Sequence, residues 1–165
     1  MPTLLYSASG AYALNIPRGV YALSVECWGA GGGGGQRSSN GTGGGGGGGA
    51  YAITPNASVG PGTVATLNVG RAGTAGPAPG NGACSFFMTN QVVALGGLSV
   101  AENTATGGLG GTASNCTGTT CYNGGTGASG GGTFGGGGGG SAGTAASGNS
   151  SASQLGATAV TGGGP

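Results

Sequence analysis

Long runs of glycine decide what this chain can become. Positions 43–49 and 135–140 are glycine throughout, and 29–35 is interrupted only by Ala30. A run of glycine has no side chains to bury, so it cannot build an ordinary apolar core. Each glycine also gives up about 1–2 kcal/mol of backbone freedom when it is ordered. What holds such runs must be the peptide groups themselves, because every residue brings one N–H and one C=O that require partners. This points to a structural or binding role and away from an enzyme.

Collagen is excluded, since the runs lack a strict Gly-X-Y period and the whole chain has only 7 prolines. Three arrangements remain open. One is a flexible Gly/Ser linker. Another is a set of irregular ordered loops. The third is a left-handed, polyproline-II-like coil of glycine, with about three residues per turn and about 3.1 Å rise per residue. Such a coil makes no internal hydrogen bonds, so its N–H and C=O groups are available to neighbouring coils. Only glycine permits so close an approach, and weak Cα–H···O contacts add to it. The coil lattice is the reading carried forward.

The side-chain chemistry is narrow. The charged residues are Arg18, Arg37, Arg71, Glu26 and Glu102; there is no Lys, Asp or His, and the net charge is +1. Three scattered arginines do not make a phosphate-binding surface, so no nucleic-acid partner is expected. General acid–base catalysis requires a group that titrates near the working pH, and the two glutamates are the only side-chain carboxylates. Ligands for a metal are nearly absent, and no metal or other cofactor is expected. The match of Gly29, Gly31 and Gly34 to G-x-G-x-x-G is what any glycine run produces. No helix signal follows it, and no acidic residue stands about 20 positions on.

A nearly neutral chain that is 36% hydrophobic favours association, so it reads as a piece of an assembly. No stretch approaches the roughly 18 apolar residues of a membrane helix, and no membrane insertion is expected. The N-terminus lacks the basic and apolar regions of a secretory signal. The closing GGGP is an odd place to stop, so a fragment with a further domain after it is one of the open expectations. Asn40, Asn56, Asn115 and Asn149 each begin a sequon of the kind a Ser/Thr-rich chain forms by chance. Of the 4 cysteines, Cys116 and Cys121 bracket TGTT and form a candidate disulfide, which requires Cα atoms within about 7 Å. Cys27 lies in a strand-like run and reads as a small buried apolar group.

Period-two alternation marks the strands. Tyr12, Leu14 and Ile16 alternate. In 20–28 (VYALSVECW), Tyr21, Leu23, Val25 and Cys27 share one face, with Glu26 and Trp28 on the other. A short strand at 50–54 is expected to close at Pro55. Residues 63–69 alternate again, and 85–88 with 91–95 predict a hairpin around Thr89 and Asn90. Strand signals fade after Gly96. The expected fold is therefore mainly β. A small sandwich-like framework carries polyglycine-II-like helices or ordered loops, and there is no α-helix. Residues 1–106 would hold the framework and 107–165 would be a glycine-rich segment packed on it. Tyr21, Leu23, Val25, Trp28 and Leu67 are the expected framework core.

Several strings together carry a resemblance: IPRGVYALSVECWGAGGGGG, GGGGGGGAYA, VGPGTVATLNVGRAG and VVALGG. Over roughly 12–140 the chain resembles the glycine-rich domain of bacteriophage tail fibres and tail-tip adhesins. Pro17, Gly19, Val20, Val25, Trp28, Gly29, Ala30, Gly31, Tyr51, Pro61, Gly62, Val69 and Gly70 stand at the positions of its pattern. Arg71 departs from it, where a small residue is usual. The resemblance implies polyglycine-II helices fed by a β framework and displayed on a virion. It also implies loops between the helices that touch a host cell-surface protein or glycan. Those interruptions are 36–42, 115–123 and Thr133 with Phe134, and the contact candidates are Arg37, Tyr122 and Phe134. The competing expectation is a self-assembling subunit of an extracellular fibre or virion coat. Its partners would be copies of itself or other virion and fibre proteins.

Overall fold

A computed structural model describes residues 3–38 and 41–163. The Asn40 sequon and the middle of the 36–42 interruption lie outside the described residues. Strands form where apolar residues alternate. β1 (Gly10–Asn15), β4 (Val64–Val69), β5 (Ser85–Phe87) and β6 (Val92–Ala94) make one antiparallel sheet in the order β1-β4-β5-β6. β2 (Ala22–Trp28), β3 (Tyr51–Ser58) and β7 (Thr120–Tyr122) make a second, in the order β2-β3-β7. Helical structure among the described residues is one 3-10 turn at Ala113–Asn115, and none of it is α-helical.

The apolar core lies between the sheets. It gathers Cys27, Ala52 and Ala57 from the second sheet and Ala65, Phe87, Val92 and Ala94 from the first, with Ile16 and Val59 at its margin. Leu23, Val25 and Leu67 pack against it as expected. Two expected core residues do not belong to it. Tyr21 precedes β2 and is 71% exposed, although its carbonyl still accepts from Val59 N–H (2.9 Å). Trp28 is half-buried on the opposite face from Cys27, as period two requires. The expected end of the third strand at Pro55 is also corrected. Val25 pairs with Thr54 and Leu23 with Ala57, so Pro55 and Asn56 together oppose Ser24. This is a bulge, where the missing proline N–H costs no ladder bond, and the strand continues to Ser58. The β5–β6 hairpin forms where the alternation placed it, with Met88 at φ 47° and Thr89 at φ 62°. A β-branched residue is strained there. Thr89→Gly is expected to raise stability by about 1 kcal/mol, read as a higher urea midpoint with unchanged slope.

The glycine runs continue the strand pairing in another form. β2 passes directly into 29–36, and 43–50 passes directly into β3. Beyond the Trp28–Tyr51 pair, Gly29 N–H donates to Ala50 O (2.8 Å), Gly32 to Gly47 (2.9 Å) and Gly35 to Gly44 (3.0 Å). The repeat has changed from two residues to three, which is the period of an extended threefold coil. The connection from β4 to β5 also runs outward and returns. Gly73 N–H reaches Gly31 O (2.9 Å), and Ala30 and Gly33 donate to Ala83 and Gly80 (3.1 and 3.0 Å). After β6, 95–104 runs alongside 29–36 in the same direction, with Gly97 donating to Ala30 (2.8 Å), Val100 to Gly33 (3.1 Å) and Asn103 to Gln36 (3.0 Å). Residues 107–111, 124–130 and 135–142 complete the surroundings of 43–50, every residue of which is buried.

A backbone hydrogen bond contributes about 1 kcal/mol net, while ordering a glycine costs about 1–2 kcal/mol. The bonds alone therefore do not hold an isolated coil. The paired strands do the remainder: β2–β3 and β4–β5 clamp the ends of two excursions, and β6 and β7, which bound the third, are each paired into a sheet, β6 on β5 and β7 on β3.

Candidate functional site

A side-chain core must give way to a peptide core where strands become coils. The transition is marked by one cross-strand row, Trp28–Tyr51–Tyr122. The Trp28 and Tyr51 rings lie 5.0 Å apart at 54°, and Tyr51 stacks on Tyr122 at 6.1 Å and 17°. Tyr51 is 1% exposed, and its hydroxyl donates to Glu26 Oε2 at 3.0 Å. Tyr122 is thus held in this row, half-buried at the framework end.

The other two contact candidates lie at the opposite end. A coil of eight residues spans roughly 25 Å, so the turns closing the coils gather at a tip well away from the sheets. Asn103 donates to Gln36 O (3.0 Å), Gly44 to Thr104 O (2.9 Å), Gly130 to Ala105 O (2.7 Å) and Gly136 to Gly43 O (2.8 Å). These bonds place 36–38 and 41–43 beside the turns at 101–106 and 130–135. Arg37 is exposed in 36–38. Phe134 is 57% exposed in 130–135, in a tight turn closed by mutual bonds with Gly131 (2.9 and 3.0 Å). Asn103 ties two turns together: its Oδ1 accepts from Ser38 N–H (2.9 Å), its Nδ2 donates to Ser38 Oγ (2.8 Å), and its φ is 56°. Asparagine is among the few non-glycine residues that tolerate that conformation. The structure therefore brings Arg37 and Phe134 to one surface and leaves Tyr122 outside it. Asn103 joins them, and no motif or periodicity in the sequence singled it out. The tip combines amide, hydroxyl and guanidinium groups with one exposed ring, a set suited to hydrogen bonding and stacking.

The cysteines are thiols. Cys116 and Cys121 sit side by side with a thiol–thiol hydrogen bond, and burial first of all pushes both upward. Cys116 Sγ also accepts from Leu95 N–H (3.4 Å) and donates to Thr112 O (3.3 Å). Burial moves Cys27 from its ordinary 9.0 up to about 12. Tyr51 is raised as well, by burial first and then by its hydrogen bond to the Glu26 carboxylate. In the unfolded chain both groups ionise at their ordinary values. Their contribution to folding is therefore whole below about pH 9 and is lost as pH rises through the folded-state values. The urea midpoint is expected to hold at neutral pH and to fall progressively above about pH 9. Cys27→Ala should remove part of that fall.

Among the described residues no group of three or more His, Cys, Asp or Glu is placed to hold a metal ion, and no helix is long and apolar enough to cross a membrane. The family model described as glycine-rich domain matches residues 7–165. The chain belongs to that glycine-rich domain family. No curated protein matches it.

Proposed function

We propose that this chain is a non-catalytic adhesive module of a virion, of the phage tail-fibre type, whose coils are polyglycine-II helices and whose tip binds a host cell surface. The observation that carries the reading is the separation of roles along the molecule. A β framework sits at one end, and Arg37, Asn103 and Phe134 converge on turns at the other. The glycine lattice between them is a rigid spacer. Arg and aromatic residues on an exposed surface are the side chains that dominate recognition hot spots. The ligand is a surface protein or glycan, bound without chemistry.

The test is binding of fluorescently labelled protein to candidate host cells. Wild type should bind saturably and reduce infection. The double variant Arg37→Ala, Phe134→Ala should lose most binding while keeping its unfolding midpoint. Equal binding by the double variant would remove the tip from the account.

A second reading, a self-assembling fibre or coat subunit, is favoured by the exposed apolar residues Leu4 (63%), Leu5 (74%) and Leu155 (79%). Light scattering separates the two. Growth into open filaments with rising concentration supports assembly, whereas a fixed small oligomer supports the adhesive module.

A further inference from the structure

The hydrogen bonding of the central coil is complete on every side but one. In 43–50 the residues fall into three classes. Gly44, Gly47 and Ala50 donate to 95–104, at 2.9, 3.0 and 2.8 Å, and accept from 29–36. Gly45 and Gly48 donate to 124–130, both at 2.9 Å, and accept from 107–111. Gly43, Gly46 and Gly49 accept from 135–142, at 2.8, 2.9 and 2.9 Å, and their own N–H groups have no partner among the described residues.

A threefold coil turns each class by about 120° from the one before. The first class donates toward 95–104 and the second toward 124–130. The third must then donate toward the side between 135–142 and 29–36, which no described residue occupies. The two flanking coils offer that side acceptors: the carbonyls of Gly32, Gly35, Gly136 and Gly139 receive no bond among the described residues. At the tip end this side opens as a cleft of about 410 Å³ lined by Gly34, Gly43 and Gly135. A Cβ added at Gly34, Gly135 or Gly138 would meet nothing closer than 3.4, 3.6 and 3.7 Å. At Gly46 or Gly48 it would fall on a neighbouring carbonyl.

We propose that this side is a docking groove for a glycine run of another polypeptide, taken up in the same threefold coil. The floor donates and both walls accept. A threefold coil alternates C=O and N–H around its axis, so one that turns its C=O groups to the floor turns its N–H groups to both walls. A β-strand repeats every two residues and does not match rows set three residues apart. The coils at 70–83 and 155–161 of a second copy do not supply the occupant, because they carry Arg71, Pro77, Pro79, Leu155 and Val160, which prevent so close an approach. The occupant is a side-chain-free stretch of about six residues or more, enough for two turns.

The test titrates a soluble oligoglycine peptide, about eight glycines flanked by lysines for solubility, into ¹⁵N-labelled protein. Saturable amide shifts at Gly43, Gly46 and Gly49 are expected, and a Gly-Ala repeat peptide should produce none. Gly34→Leu and Gly138→Leu place a side chain in the groove while sparing the lattice. Each should weaken binding roughly tenfold or more with an unchanged unfolding midpoint, whereas Ala11→Val, on exposed β1, should bind as wild type. The proposal is overturned if those amides show no saturable shift, or if the Gly-Ala peptide or both leucine variants bind as well. Concentration-dependent protection of the same amides in the protein alone would overturn it in favour of self-association.

Discussion

Gly48→Ala lowers the free energy of unfolding by on the order of 4 kcal/mol, enough to threaten the whole fold, whereas Gly131→Ala raises it by about 0.4–1 kcal/mol. The chemical change is the same at both sites. At Gly48 the new methyl would fall on the Gly140 carbonyl and the Ser141 nitrogen. Both belong to a neighbouring backbone that is itself held by other coils, so nothing is free to yield. Displacing that coil also endangers the bond from Gly48 N–H to Gly125 O and the one from Gly111 N–H to Gly48 O, each 2.9 Å. At Gly131 the methyl meets nothing within 4 Å, and the backbone there is outside the left-handed region. The alanine then acts by restricting the unfolded chain. Urea unfolding of the two variants beside wild type gives both numbers. Equal and small losses at both sites would mean that the lattice does not set the stability of the fold.

Tyr51→Ala is expected to cost about 3–5 kcal/mol, and Tyr51→Phe about 1 kcal/mol. Tyr51 is a fully buried side chain on the aromatic row, and removing it leaves both Trp28 and Tyr122 without their ring partner. Phenylalanine keeps the stack and gives up only the hydrogen bond to Glu26. Tyr51 follows Ala50 directly, so its loss also loosens the point where 43–50 enters β3. Amide exchange should accelerate first at 29–36 and 43–50 in the alanine variant and stay near wild type in the phenylalanine variant. If both variants exchange alike, the row has no part in seating the lattice.

Exchange measured by residue also connects framework and tip. Arg37 and Phe134 lie on turns whose positions depend on every coil beneath them keeping its register. On the proposed adhesive function, a substitution at Gly48 should therefore weaken surface binding through lost fold, whereas one at Phe134 should weaken it with the fold intact.

The residues alone carried a good part of this molecule. A glycine run has no option but to satisfy its peptide groups, so its need for neighbours was legible from composition. The alternation of Leu23, Val25 and Cys27 fixed which face of β2 meets the core, because a strand side chain has only two directions available. Local chemistry also marked the β5–β6 hairpin. Other features depended on partners distant in the chain. Pro55 looked like a strand end until β2 supplied a register in which two residues oppose one. Tyr51 looked like one aromatic at the edge of a run until Trp28 and Tyr122 came to either side of it. β7, only Thr120–Tyr122, was too short to show a period and exists because β3 offers it an edge. Which coils touch, and which side of 43–50 stays open, was decided by tertiary structure alone. Every glycine carries the same two hydrogen-bonding groups, so nothing in a glycine's identity says which neighbour it will find.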